Sequence, residues 1–308
     1  MYNNAQMMIL YTQTPLHPGT GQSTGVIDLP VQRERHTRHP VIQASSLKGS
    51  LKSFAMSKAG SSPNTEREIW RKKIAAVFGP DDGDLHGGAL TVMEARLLAF
   101  PVRSLQAPFF WITCPLILQR LQRDLAAAGH KNALEGISFE TGEGKARCNI
   151  EVEPPLILED LTFEKCGDAT QLTDWLTKHI LPCDGPYKFY NERFKKYLLI
   201  LSDQDFAYLV ENATTVNARI VLDDKKTSQN LWYEETLPPD CLFYTWLLAL
   251  NPRDGNQSGL KGSNEVLSFV TKELSLQYLQ LGGNETVGQG WCHISFPAFE
   301  LDEGGKGE

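Results

Sequence analysis

One histidine and one aspartate stand in a glycine-punctuated stretch, TPLHPGTGQSTGVIDLP, from Thr14 to Pro30. Asp28, between Ile27 and Leu29-Pro30, has the chemistry to bind a divalent metal. It could equally position a ribose 2′-hydroxyl for attack on the adjacent phosphate. An ordinary turn aspartate fits the same residues. His17 can exchange a proton near neutral pH, although a lone histidine beside proline is more often structural. Just downstream, Val31 to Lys58 holds six Lys or Arg against the single acid Glu34, a local charge of +5 in a chain of net charge −7. Positive charge concentrated on an acidic protein points to an anion held in a defined groove.

Ser45-Ser46-Leu47-Lys48 opens a helix in this basic stretch. The first N–H groups of a helix are unpaired and sit at its positive end, so hydroxyls and a lysine there make a phosphate seat. Lys48 and Lys52 lie one turn apart, spaced for neighbouring phosphates. A capped helix with solvated lysines is the plainer alternative. Far along the chain, Trp232-Tyr233-Glu234-Glu235 offers ring faces for bases and two acids, and an amphipathic hairpin packed on its own core is equally compatible. Leu281 to Gly290 carries Gly282, Gly283, Gly288 and Gly290, which let a backbone approach a ligand closely. The loop is longer than a turn needs. The early glycines are no dinucleotide fingerprint, because Gly25 falls one residue late for that spacing, and no Gly-Lys-Ser/Thr run forms a Walker loop.

The elements that must position these groups can be read from periodicity. Met7–Thr14 reads as a strand, Ser46 as the cap of a helix to about Lys58, and Glu66–Phe78 as a second helix stopped by Gly79-Pro80. Strands are expected at Ala89–Arg96 and Ala107–Thr113, with a helix from Pro115 to Ala127. Residues 128–184 are irregular and read as an insertion. Tyr197–Leu201 reads as a strand, Asp203–Asn212 as a helix, and 219–237 as a long hairpin around DKKTSQN. A strand at Cys241–Leu250, a helix at Glu265–Gln280 and a last strand at Trp291–Phe296 complete the chain, with a frayed acidic tail from Glu300. This order fits an α+β sandwich in a single domain over 1–308, helices on one face of a mainly antiparallel sheet.

The bulk composition of the 308 residues, 41% apolar and 22% charged, is that of a globular protein with a real core. No apolar run reaches membrane-spanning length and the N-terminus lacks signal-peptide features, so a cytoplasmic location with no membrane partner is expected. Six scattered cysteines without zinc spacing read as free thiols.

Five blocks in order, TPLHPGTG, GVIDLPVQRERHTRHPVIQASSLKGSLK, GGALTVMEARLLAFPVRSL, LWYEETLPPDCLFY and LGGNETVGQGW, resemble the RAMP superfamily. Within it they are most similar to the multi-copy backbone subunits of type III-B CRISPR (Cmr) effector complexes. The resemblance runs from residue 8 to residue 296. It implies a ferredoxin-like, RRM-related palm with finger-like insertions and a thumb β-hairpin. It implies copies stacked head to tail along a crRNA guide beside other Cmr subunits, each copy flipping out a base pair and cutting the target RNA there with Mg or Mn present. By resemblance Asp28 is the cleavage aspartate and the candidate metal ligand. His17 is the loop histidine, a helper in catalysis, and Leu231, Trp232, Glu234 and Glu235 form the acidic thumb motif, whose Glu234 and Glu235 are expected to support Asp28 as catalytic acids. Arg33, Arg35, Ser45, Ser46, Lys48 and Lys52 are expected on the guide backbone, and Gly282, Gly283, Glu285, Thr286, Gly288 and Gly290 form the glycine loop. Where such chains often carry Pro-Gly before the serines, this one has Gln43-Ala44. A non-catalytic guide-binding scaffold of the same complex, a guide-processing RAMP endonuclease and a generic RRM-like module are the rival expectations.

Overall fold

The computed structural model describes residues 4–81, 86–151, 155–182 and 185–299. The tail from Glu300, where fraying is expected, lies outside the described residues, as do the middle of the DDGDLHGG loop and Cys183. In chain order, β1 (Ala5–Thr12) and β2 (Val41–Ile42) precede α1 (Ala44–Gly60) and α2 (Asn64–Phe78). Then come β3 (Leu90–Val92), β4 (Ala95–Val102), β5 (Phe110–Thr113) and α3 (Pro115–Ala127). The middle of the chain supplies β6 (Lys145–Cys148), β7 (Leu156–Leu158), β8 (Leu161–Gly167), α4 (Thr170–His179), α5 (Tyr187–Tyr197), β9 (Leu198–Leu201) and α6 (Asp203–Asn212). The last third holds β10 (Thr215–Leu222), β11 (Ser228–Thr236), β12 (Leu242–Ala249), α7 (Ser263–Ser268), β13 (Tyr278–Gln280) and β14 (Trp291–Ser295).

Twelve strands form one mostly antiparallel sheet, along the path β13-β14-β1-β12-β4-β5-β9-β6-β8-β7, with β2 paired to β4 and β3 to β12. β1 sits inside it, paired with β12 on one side and β14 on the other. Its residues from Met7 onward are buried, which is why MMILY reads as a continuous apolar run rather than an alternation. α1 turns Leu47, Leu51, Ala55 and Ala59 inward at four-residue spacing, and α3 does so with Ile117, Leu118, Leu121 and Leu125.

Several boundaries differ from the sequence reading. α1 begins at Ala44, not after Ser46. β2 runs straight into Gln43, whose backbone is extended and whose side chain makes no cap hydrogen bond, so Ser45 and Ser46 stand exposed in the first turn. The strand expected over Ala89–Arg96 is broken: pairing slips by one residue between Val92 opposite Leu247 and Arg96 opposite Tyr244, a bulge at Met93-Glu94. The expected helix from Glu265 to Gln280 ends early. α7 passes into a π-helix at Phe269–Glu273, and Ser275 with φ 48° breaks the helix, letting Tyr278–Gln280 pair with β14. α5 is an addition that the sequence reading did not contain. The 128–184 segment contributes β6, which hydrogen-bonds directly to β9, so its core is continuous with the main sheet.

The hairpin β10–β11 stands apart as a two-stranded sheet. β10 is solvent-exposed along nearly its whole length, with Ile220 and Leu222 more than half exposed. β11 is exposed at its tip and buried over Glu234–Thr236. The hairpin is therefore rooted by its last residues and otherwise projects with no further strand paired to it among the described residues.

Candidate active site

The segment leaving β1 lies against two other parts of the chain. On one side Leu16 pairs with Leu237, beyond the hairpin, through N–H···O bonds of 3.0 and 2.8 Å. On the other, Gly283 N–H donates to the His17 carbonyl at 3.0 Å and Gly290 N–H to Pro15 at 2.8 Å. Gly282 explains why this contact needs glycine. Its φ is +75°, and an added Cβ would lie 2.2 Å from the His17 carbonyl oxygen. The segment then turns back on itself, with Gly19 bridged to Val31, and sends Asp28 along β11.

Asp28 is held by backbone. Leu29 N–H donates to Tyr233 O at 3.0 Å and Glu235 N–H to Leu29 O at 3.0 Å. In this frame Tyr233 N–H donates to Asp28 Oδ2 at 2.7 Å. The carboxylate is half-buried at one wall of a cleft of about 370 Å³, which it shares with Ser23, Leu29, Leu231 and Trp232. One oxygen is fixed and no protein partner takes the other among the described residues. That is a carboxylate aimed by the fold and still able to accept a proton, or to share a cation with a phosphate.

His17 lines a different cleft. Its Nδ1 donates to the Glu235 carbonyl at 2.7 Å, which leaves Nε2 as the acceptor. The residue is 8% exposed and borders a second cleft of about 370 Å³ with Gln43, Ser46, Ser50, Gly282 and Gly283. The Gln43 that replaces the expected proline thus faces this cleft, at the open end of α1. Gly288 and Gly290 do not line it. Gly290, with φ +81°, closes the loop on Leu281, whose carbonyl oxygen an added Cβ would meet at 1.9 Å.

The two thumb acids are internal, each 3% exposed, and neither lines the Asp28 cleft. Glu235 accepts from Val31 N–H at 2.9 Å, Arg33 at 2.6 Å and Thr214 Oγ1 at 2.8 Å. Glu234 accepts from Arg219 Nε at 3.3 Å and from the Asn284 amide, with His17 Nδ1 at 3.9 Å. Both carboxylates are engaged on both oxygens, which leaves neither placed as a free base.

The basic run is also largely occupied from within. Arg33, its side chain 6% exposed, is spent on Glu235 and on the Val210 and Arg38 carbonyls. Arg38 pairs with Glu211 at 3.1 Å. Lys52 pairs with Asp81 at 2.8 Å and donates to the Gly79 carbonyl, and Lys48 donates to the Leu90 carbonyl at 3.1 Å. Burial, with Lys52 nearby, lowers the Lys48 ammonium below its usual range. Arg35 is exposed. Burial alone would raise the Glu34 carboxyl, but the Thr37 hydroxyl and the Arg120 guanidinium at 2.8 Å outweigh it and hold it low. The local +5 therefore overstates the free positive charge. Most of these cations are taken up by the protein's own acceptors and none of them lines either cleft, whereas Ser45, Ser46 and Arg35 are exposed. The residues that sequence reasoning missed are Asn284, Arg219 and Thr214, which act through contacts across fifteen or more positions. Only the polar Asn inside a glycine loop was a visible signal.

Among the described residues no group of three or more His, Cys, Asp or Glu is gathered to hold a metal, and no helix is long and apolar enough to cross a membrane. Asp28 alone fits an ion completed by phosphate and water rather than an all-protein cage.

A Pyrococcus furiosus protein named CRISPR system Cmr endoribonuclease Cmr4 is 37% identical over 296 residues, spanning 94% of this chain and 95% of that protein. The crystal structure of oligomeric Cmr4 from the same organism superposes with a TM-score of 0.68 at 31% identity, covering 95% of this chain and 97% of that one. A subunit of the type III-B Cmr-beta complex bound to cognate target RNA gives a TM-score of 0.72 at 25% identity, covering 96% and 98%. The family model of the RAMP superfamily matches residues 9–293, and the chain belongs to that superfamily.

Proposed function

We propose that this chain is a backbone subunit of a type III-B CRISPR effector, which binds a crRNA guide, stacks head to tail with further copies and cuts complementary target RNA at regular intervals. Its palm is read as ferredoxin-like and RRM-related, with β10–β11 as the thumb. The observation that carries the reading is the Asp28 seat: a carboxylate fixed by one backbone N–H, left open on its other oxygen, at the foot of a projecting hairpin beside Trp232. The named endoribonuclease activity of the Pyrococcus relative and the target-RNA complex support it. So does the projecting hairpin, whose exposed Val216, Ile220, Val221 and Leu222 suit burial against RNA or a neighbouring copy.

In this mechanism Asp28 orients or deprotonates the 2′-hydroxyl next to a flipped nucleotide, and in-line geometry is imposed by the cleft. Trp232 supplies a stacking face. Asp28 would hold a Mg or Mn ion, which would supply neutralisation of developing charge when bound. Glu234 and Glu235 hold the site together rather than act on RNA, and His17 serves the guide-side cleft with Ser46 and the open turn of α1. The test is cleavage of labelled target by the guide-loaded complex, with targets carrying a single 2′-deoxy substitution. Evenly spaced cuts of which the one beside the deoxy position vanishes are expected. Guide and target binding without any cut would leave a scaffold.

A further inference from the structure

The glycine loop and the Asp28 seat are joined through one side chain. Asn284 stands at the head of the loop's short 3₁₀ turn in the left-handed conformation, φ 62°, where Asn is tolerated far better than most residues. One N–H of its side-chain amide goes to Gln289 Oε1 at 2.9 Å, and its backbone carbonyl accepts from Gln289 N–H at 3.2 Å, which keeps Gln289 beside it. The other N–H of the side-chain amide goes to Glu234 Oε1. Arg219, across the hairpin from Trp232, holds Oε2. Glu234 is 3% exposed, so its carboxylate depends on these two donors. An uncompensated buried charge there would have to move or take up a proton.

What Glu234 anchors is the strand that aims Asp28. Tyr233 and Glu235, its two neighbours, make the backbone bonds to Leu29, and Tyr233 N–H is the donor to Asp28 Oδ2. Asn284 itself lines neither the guide-side cleft nor the Asp28 cleft. Gly282 and Gly283, two and one residues before it, line the guide-side cleft.

The geometry points to Asn284 as a positioning residue: through Glu234 it locks the root of the thumb to the guide-side loop and so sets the aim of Asp28 for cleavage. The proposal rests on the reading of Asp28 as the cutting residue. It makes Asn284 a determinant of the rate of cutting, not of guide affinity, since its side chain reaches protein and not the cleft.

An exchange of donor and acceptor tests it. Asn284→Asp sets two carboxylates against each other. Combining it with Glu234→Gln restores a hydrogen bond in the reverse sense, the new amide donating to position 284 while its oxygen still accepts from Arg219. Guide-loaded complexes containing wild type, Asn284→Asp and the double variant are compared in single-turnover cleavage of saturating target. Amide hydrogen exchange at Leu29 and Tyr233 is followed alongside. Asn284→Asp is expected to cut at least tenfold more slowly at unchanged guide affinity and unchanged cut spacing, with faster exchange at both amides. The double variant is expected to recover to within about threefold of wild type, with protection restored. Cutting by Asn284→Asp at the wild-type rate, or a double variant no faster than Asn284→Asp, overturns the proposal. If even the wild-type complex makes no cut that depends on Asp28, it is the function reading that fails. The exchange data then still decide whether Asn284 governs the Asp28 seat, and unchanged protection in Asn284→Asp overturns that part too.

Discussion

Glu235 and Asp28 are both acids of the site, and their surroundings assign them opposite consequences on removal. The Glu235 side chain is 4% exposed and faces Arg33 at 2.6 Å, itself 6% exposed. Truncation to Ala strands that guanidinium in a dry setting. Breaking a buried pair from one side costs about 3–5 kcal/mol, and the Val31 N–H and Thr214 hydroxyl lose their acceptor as well. A loss of about 4 kcal/mol is therefore expected, or ~8 °C in melting temperature at roughly 2 °C per kcal/mol for a chain of this size. Asp28→Ala removes a single half-exposed acceptor that water can replace, for about 1 kcal/mol. Urea and thermal melting of the two variants, alongside wild type, reads the difference directly. Glu235→Ala should cut poorly because its site is loosened, and Asp28→Ala should fail to cut while folded like wild type. A Glu235→Ala protein that melted within about 1 kcal/mol of wild type yet had lost all cleavage would refute the reasoning and return Glu235 to the chemistry.

Other outcomes follow from the same contacts. His39 is buried against Phe206 with its Nδ1 unpartnered, and burial pushes its pKa from 6.5 down to about 4. A depressed folded pKa means that the unfolded chain takes up the proton first. Stability is thus full above about pH 6.5 and falls toward pH 4, by roughly 3 kcal/mol for this group; His39→Leu should flatten that limb of a stability-against-pH curve. Gly49 lies in α1 with nothing within 4 Å of an added Cβ. Gly49→Ala should therefore stabilise the free chain by about 0.5–1 kcal/mol in urea melts, whereas Gly282→Ala, clashing with the His17 carbonyl, should destabilise it and open the guide-side cleft. Trp232→Ala should slow cutting about tenfold, one lost stacking contact, with guide affinity retained in a filter-binding assay.

Much of this architecture was legible in the chain because it depends on local order. α3 and α6 span Pro115–Ala127 and Asp203–Asn212 as read from the sequence, and the Ser202 side chain caps α6 by accepting Asp205 N–H. The hairpin follows from its alternation and polar turn. What misled was charge and length. Six cations in a row of twenty-eight residues look like a groove for an anion, yet Arg33, Arg38 and Lys52 find carboxylates at Glu235, Glu211 and Asp81. Such partners are invisible to a count of neighbours in sequence. The helix expected to reach Gln280 was cut by Ser275, a residue whose left-handed backbone no periodicity announces. Asp28, His17, Ser46 and Trp232 were all visible as candidates. That they divide between two clefts, and that Glu234 and Glu235 turn inward, is a property of strand pairing between residues 16–31 and 233–237.

The most direct measurement is the single-turnover rate of target cleavage by guide-loaded complex carrying Asp28→Asn, which keeps an oxygen for the Tyr233 N–H but removes the charge and the basicity. The account predicts a loss of at least a hundredfold with the fold, guide binding and target binding unchanged. Cleavage at the wild-type rate, at the same evenly spaced positions, would contradict it.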